Sequence, residues 1–395
     1  MREYRLKVAN ITDKSVFPAN GLSLSDRKKQ KSAEMLDIAR LPAGKPAYHT
    51  RWTCPSNIAI VKYWGKREGQ LPANPSVSLT LEACYTDTTL DVSLRCGEGD
   101  DRPYRIEVQL DGQPAPGFVP KIEQFFDRIA PYAPYLRDYA FVLHTSNSFP
   151  HSSGIASSAS GLGALAACLV DFENACSAPL AQEDFLRRVS FYARLGSGSA
   201  SRSIYPGVVL WGECPSVPSS SDLYAVPLPE ADIHPVFRDL RDTVLLIEHG
   251  AKSVSSTAGH ALMKGHPYAP ARFAQAREHV ERLREILRRG DVAAFGALAE
   301  REALTLHAMM MAADPCYILF KPATIAVLDA VWQYRKETLV PLYFTLDAGA
   351  NVHLLYPASA EVPVREFIAT ALSPLCQGRM IHDRVGTQGV RKAAL

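Results

Sequence analysis

Residues 149–163 read FPHSSGIASSASGLG and pass without a break into Ala164-Leu165-Ala166-Ala167-Cys168-Leu169-Val170, which has the character of an apolar helix. A loop of small residues opening a helix leaves several backbone N–H groups unpaired and pointing one way, at the positive end of the helix dipole. Such an end is an anion site. Residues without bulk let the main chain approach phosphate oxygens, while serine hydroxyls add donors or a metal contact. The alternative is a flexible Ser/Gly linker ahead of an ordinary core helix. A phosphate cradle needs a strand before it, and residues 140–145 supply the strand pattern.

Length and composition set the frame for that loop. A chain of 395 residues exceeds what one hydrophobic core usually serves, so two domains are expected. The 43 basic and 41 acidic side chains leave a net charge of +2, which gives no electrostatic footprint for nucleic acid or for an anionic membrane surface. A small-molecule partner fits better. Eight cysteines carry no CxxC spacing, which argues against a zinc site or a disulfide framework and points to reduced thiols in a cytoplasm. The first residues carry charge throughout and have no apolar block of the signal-peptide kind, and no run approaches a membrane span.

Taken in order, residues 1–47 read as an appended arm of polar and basic types. From Trp52 the text becomes TCPSNIAIVKYWGK, an apolar run carrying Lys62, Tyr63 and Lys66. Burying Ile58, Ile60 and Val61 leaves Lys62 near the interior, where an ammonium needs an anionic partner; a surface lysine pair is the alternative. Strand periodicity follows at 75–81, 86–94 and 104–110, then a helix over 121–129. After a helix at 183–195 comes GSGSASRS, in which hydroxyls alternate with minimal residues around Arg202. A flat guanidinium in such a loop suits a carboxylate or phosphate, or else is a solvated loop arginine. Pro- and Ser-rich text over 214–229 marks a surface excursion, so the chain divides into 48–232 and 233–395. The second part has a strand at 243–247, a hydroxyl cluster containing Ser255 and Ser256, and helices near 268–287, 292–309 and 322–335. A strand at 341–346 then ends in Asp347 within a tight turn, and a further strand follows at 352–356. That Asp is either a turn former or a carboxylate aimed into a cleft.

These five signals in this order resemble the GHMP family of small-molecule kinases. PSNIAIVKYWGK, FPHSSGIASSASG, GSGSASRS and FTLDAGAN narrow the resemblance to its diphosphomevalonate decarboxylase branch, from about Trp52 to Val385. The resemblance implies an α+β fold of two halves, the first like ribosomal protein S5 domain 2 and the second ferredoxin-like, with the active site in the cleft between them. It implies ATP and Mg2+ as cofactors, and phosphorylation of a tertiary 3-hydroxyl followed by loss of phosphate and CO2. By matching motif, Asp347 orients or deprotonates the hydroxyl with Lys62 beside it, and Arg202, assisted by Ser197 and Ser199, holds the carboxylate that is later lost. Tyr63 and Lys66 face the substrate diphosphate. Gly154, Ser157 and Ser158 cradle the ATP phosphates, and Ser255 and Ser256 lie near the phosphoryl region. No metal ligands are assigned, and a homodimer is left open.

The chemistry agrees with those residue types. Phosphoryl transfer asks mainly for positioning and for cations around spreading negative charge. A tertiary alcohol is so weak an acid that a carboxylate takes its proton only as the O–P bond forms, and Lys62 keeps Asp347 ionised for that step. The chain departs from the family pattern in several places. Ala350 stands where Pro is usual, Pro75 where many members have Ser, and Lys121 where an Arg reaches the diphosphate; VGTQGV at 385–390 follows the pattern loosely. Two rival readings remain. One is a phosphomevalonate decarboxylase or a mevalonate 3-kinase. The other is a catalytically silent ligand sensor, which would be expected to have lost its base or its phosphate loop.

Overall fold

The structure is a computed structural model that describes residues 47–95, 101–150, 155, 157–248 and 256–395, with the backbone alone at 256 and 257. The expected arm, Gly154 and Ser255 therefore lie outside the described residues, except that Ala47 opens the first strand.

Two long strands organise the first sheet: β1 (Ala47–Val61) and β2 (Ser76–Leu94), paired antiparallel. Their register breaks between Pro55 and Asn57, where proline has no N–H to give the ladder. β3 (Arg105–Leu110), β4 (Gln113–Pro114) and β5 (Tyr139–Asn147) extend the sheet through β2, with β3 and β5 parallel. β6 (Val208–Trp211) pairs with the first residues of β2, and β7 (Ala225–Pro227) pairs with β6. The burial of β2 records its two environments. Its first six residues are all buried, whereas from Thr86 buried and half-buried residues alternate.

Sequence periodicity resolves β2 into two strands, 75–81 and 86–94, because the pattern lapses between them. The structure joins them. The amides of Glu82, Ala83 and Cys84 find no partner on β1 and donate instead to the Asp383 carboxylate at 2.9, 2.7 and 2.9 Å. A side chain three hundred residues away in sequence holds this segment extended, and no local pattern announces it.

Helix α1 (Val119–Ile129) follows β4, and helices α2 (Ser157–Cys176) and α3 (Gln182–Gly196) cover the sheet. α2 is apolar on nearly every face, as a helix buried on all sides must be. Gly163 lets it lie close, since a Cβ there would sit 2.5 Å from Cys54 Sγ on β1.

The chain then changes sheet. β8 (Leu240–Leu245), β9 (Tyr343–Thr345), β10 (Val352–Pro357) and β11 (Met380–Arg384) form a four-stranded antiparallel sheet in the order β11-β8-β10-β9. Helices α4 (Ala269–Arg289), α5 (Val292–Met311) and α6 (Pro322–Thr338) accompany it. After β11 the chain returns to the first sheet. Gly386 N–H donates to Thr80, and β12 (Arg391–Lys392) pairs with Trp52 and Thr53 on β1. The halves are not loosely joined: Ile58, Val61 and Val77 share one apolar cluster with Val244, Val280 and Phe295. Among the described residues no helix is long and apolar enough to cross a membrane.

Replacing Asp383 with alanine removes the acceptor of three amides, that of Cys84 buried and those of Glu82 and Ala83 partly exposed, and should cost roughly 1–3 kcal/mol of stability. The loss should appear as a lower urea midpoint at unchanged slope, even though the change relieves repulsion from Asp242, the register partner of Asp383.

Candidate active site

Lys62 stands one residue beyond the end of β1 and is 1% exposed. Its Nζ donates to Asp347 Oδ1 at 2.9 Å and to the Ala59 carbonyl at 2.5 Å. Burial lowers the basicity of this ammonium, while the charges of Asp347 and Glu302 work against that fall. Asp347 lies just past β9, and its turn is tied down on three sides. His307 Nε2 donates to the Asp347 carbonyl at 3.1 Å, Thr324 donates to the Ala350 carbonyl at 2.8 Å, and Asn351 Oδ1 accepts from the amides of Ile247 and Glu248. The carboxylate thus comes from the second sheet and the ammonium from the first.

Arg202 belongs to a short 3-10 stretch, Gly198–Ser203, and is 2% exposed. Its Nε donates to Ser78 Oγ at 2.5 Å and its Nη1 to Ser76 Oγ at 2.6 Å. Ser76 and Ser78 project from one face of β2, which fixes the guanidinium plane. Both partners are neutral, and burial pushes the group down to about 10. Its hydrogen bonds go to neutral hydroxyls, and the Trp211 ring lies 5.8 Å away. The carboxylate that acts on it, Asp347, is already paired with Lys62, an arrangement that suits a bound anion as a further partner.

A second set of cations surrounds Tyr63. Lys66 is lowered to about 8 by burial and by neighbouring Arg128; Arg194 is lowered to about 10 by burial. Arg128 reaches in from α1, donating to the Leu195 carbonyl at 3.0 Å. His260 packs its ring 4.3 Å from that of Tyr63, and its Nδ1 accepts the Gly65 N–H at 2.9 Å. Burial, then Lys66 and Arg202, hold this imidazole well below its ordinary range, so it stays neutral. Tyr63 Oη is buried with no hydrogen-bond partner among the described residues. Nor does any of Lys66, Arg128, Arg194 and Arg202 form an ion pair among them. Ser197 and Ser199, 3.3 Å apart at Oγ, flank Gly198. A Cβ on Gly198 would sit 2.6 Å from the Trp211 ring and 2.9 Å from Tyr63, so only glycine lets the serines come this close. The charge of this cluster suits a polyanion, and one buried hydroxyl in it has no hydrogen-bond partner among the described residues.

A cleft of about 700 Å³, counting its open mouth, lies where Ser157 and Ser158 open α2. Thr86, Thr145 and Asn147 give it polar edges, and Val108, Leu143 and Leu165 give it apolar walls. Lys121, expected beside the substrate diphosphate, lines this cleft instead. The cation that α1 contributes to the Tyr63–Lys66 cluster is Arg128, two turns further along and so on the same helix face. Ser256 opens a short helix, Ser256–Ala261, that carries His260.

Sequence reasoning thus assembled Lys62, Arg202, Asp347, Tyr63, Lys66, Ser197 and Ser199, and missed Arg128, Arg194 and His260. Arg194 stands in the last turn of α3, where a basic residue reads as a complement to the helix dipole. His260 follows the hydroxyl cluster with no spacing partner to mark it. Among the described residues no group of three or more His, Cys, Asp or Glu could hold a metal ion.

The fold and this cleft define a GHMP-type enzyme: two α+β halves, a helix N-terminus for phosphates, and an acid, a lysine and an arginine drawn together between the sheets. Residues 54–222 match the diphosphomevalonate decarboxylase-like N-terminal domain, and residues 243–391 match the mevalonate 5-diphosphate decarboxylase C-terminal domain. A phosphomevalonate decarboxylase of Haloferax volcanii is 30% identical over 302 residues, covering 75% of this chain and 84% of that protein. A diphosphomevalonate decarboxylase of Ganoderma lucidum is 26% identical over 362 residues, covering 87% and 86%. A solved structure of MDDEF in complex with MVAPP, AMPPCP and magnesium superposes with a TM-score of 0.74 at 26% identity, covering 88% of this chain and all of that one. The chain belongs to the diphosphomevalonate decarboxylase family.

Affinity for inorganic pyrophosphate, measured by calorimetry, should be full below pH 8 and fall as pH rises through about 8, because Lys66 is charged only below that value. Lys66→Arg, which stays charged, should flatten that limb.

Proposed function

We propose that this protein carries out the ATP-dependent decarboxylation of mevalonate 5-diphosphate to isopentenyl diphosphate. The observation that carries the reading is the buried guanidinium of Arg202, hydrogen-bonded to neutral hydroxyls, beside the Lys62–Asp347 pair, whose Nζ and Oδ1 lie 2.9 Å apart. A kinase that stopped at phosphorylation has no need to desolvate an arginine where the substrate carboxylate would lie.

ATP enters the cleft at the start of α2. Its phosphates meet the helix N-terminus with Ser157 and Ser158, and its base meets the apolar walls that Lys121 rims. Mg2+ bound to those phosphates supplies charge neutralisation. Asp347 accepts the proton of the 3-hydroxyl as that oxygen bonds to the γ-phosphorus and the bond from that phosphorus to the β–γ bridging oxygen breaks, its electron pair leaving with ADP, while the Lys62 ammonium holds the carboxylate in line. Arg202 holds the C1 carboxylate, with Ser197 and Ser199 at its side. When the C3–O bond breaks, its electron pair leaves with phosphate; the C1–C2 pair then becomes the C2=C3 double bond and CO2 departs. Tyr63, Lys66, Arg128 and Arg194 receive the diphosphate.

That cluster also bears on the second reading, action on the 5-monophosphate, which the name of the Haloferax volcanii relative brings forward. Three cations and an unsatisfied phenol suit the larger charge of a diphosphate. The free thiols of the described cysteines support a cytoplasmic setting.

Incubation with ATP, Mg2+ and, separately, mevalonate, its 5-phosphate and its 5-diphosphate tests the assignment through CO2 and ADP. Equal yields of both, highest with the diphosphate, are expected. ADP without CO2 would make it a kinase, preference for the monophosphate would move it to the second reading, and no turnover at all would favour a sensor. Asp347→Ala should lower turnover by about 10³-fold or more while substrate affinity stays within roughly tenfold, as for a group acting in the transition state.

A further inference from the structure

We infer that Glu302, together with Arg272 and His279, positions Lys62 for catalysis by clamping its backbone N–H and carbonyl across the interface between the two halves. This rests on the reading of Lys62 given above and adds residues that touch neither substrate.

Lys62 has left β1, so no ladder partner awaits its amide. Glu302, projecting from α5 with its side chain fully buried, takes it: Lys62 N–H donates to Oε2 at 2.8 Å. The Lys62 carbonyl is held too, by Asn74 Nδ2 at 3.0 Å and by Arg272 Nη2 at 3.5 Å. The two peptide groups that flank the Lys62 Cα are therefore both fixed, and all three bonds reach them from outside β1. Glu302 is itself locked. Arg272 forks onto both of its oxygens at 2.9 and 2.5 Å, and His279 Nδ1 donates to Oε1 at 2.5 Å. Burial alone would favour the neutral acid, but the bonds from His279, Arg272 and the Lys62 amide hold Glu302 below the ordinary carboxylate range. It is charged at neutral pH.

A buried carboxylate already neutralised by a buried arginine contributes little net stability over an apolar pair of similar size. What it provides here is placement. With its peptide fixed, Lys62 reaches Ala59 and Asp347 from a set origin, and a misplacement of about an ångström at such a point costs rate rather than fold. The charge has a second effect. Asp347, Glu302 and Asp242 favour the protonated form of Lys62, whereas Arg202 opposes it, and the Arg272 guanidinium lies against the Lys62 carbonyl.

The test uses the full chain carrying Glu302→Gln and Glu302→Asp. For Glu302→Gln, kcat should fall roughly 10-fold to 100-fold with KM for ATP and substrate changed less than about threefold. The alkaline limb of the kcat profile should also move to lower pH, since a lysine with less negative charge nearby loses its proton sooner. Glu302→Asp keeps the charge and the arginine pair but draws back from the amide, so kcat should fall while the limb stays in place. Folded Glu302→Gln with wild-type kcat and limb, after correction for the folded fraction, overturns the proposal. Should that variant not fold, wild-type kcat in Glu302→Asp does the same. Titration of Lys62 by NMR of protein carrying 13C-ε-lysine, with the signal assigned by Lys62→Met, gives a readout apart from turnover. A lower midpoint in Glu302→Gln is expected, and an unchanged one refutes the charge effect. If wild-type protein turns over none of the three substrates, the functional reading fails, and this titration still decides the role of Glu302.

Discussion

An ammonium removed from water must be surrounded by compensating charge, and for Lys62 that charge comes from a different sheet. Asp347 reaches it from the turn after β9 and Glu302 from α5, while the lysine itself extends the end of β1. Neither half holds the group by itself. The ion pair is thus a condition on assembly as much as a piece of catalytic equipment: the halves must dock in one registration for the lysine to be tolerated at all.

The anion sites follow from the same economy of charge. Arg202 is fixed by Ser76 and Ser78, neutral acceptors, and the carboxylate that acts on it, Asp347, already pairs with Lys62, so its charge is only partly answered within the protein. Around Tyr63 the pattern repeats with Lys66, Arg128 and Arg194. Holding the buried Arg194 and the half-buried Lys66 and Arg128 near one unsatisfied hydroxyl costs stability, as is common where a site is built to bind.

Much of this was legible in the sequence where the signal is local. The small-residue loop predicts α2, alternation predicts β5 and the second part of β2, and the 3.6-residue period predicts α4 to α6. Lys62 was readable as an interior lysine from Ile58, Ile60 and Val61 beside it. What was not legible depends on distant partners. The continuity of β2 rests on Asp383, and the return of the chain to β1 through β12 rests on backbone pairing that has no side-chain signature. Arg128 could not be told from Lys121 because the two share one helix face, and which of them meets Tyr63 depends on how α1 sits against α3. Glu302 lies in an ordinary helical stretch, EREALTLHA, where nothing local separates a surface acid from a buried one.

The shared apolar cluster carries one more implication. Ile58, Val61 and Val77 are covered by Val244, Val280 and Phe295, so cutting the chain between the sheets would lay bare a greasy face on each fragment. The two parts behave as a single cooperative block rather than as separable modules. The cleft at the start of α2 is lined by residues 86–165 alone, so the seam buried between the halves is not one of its walls.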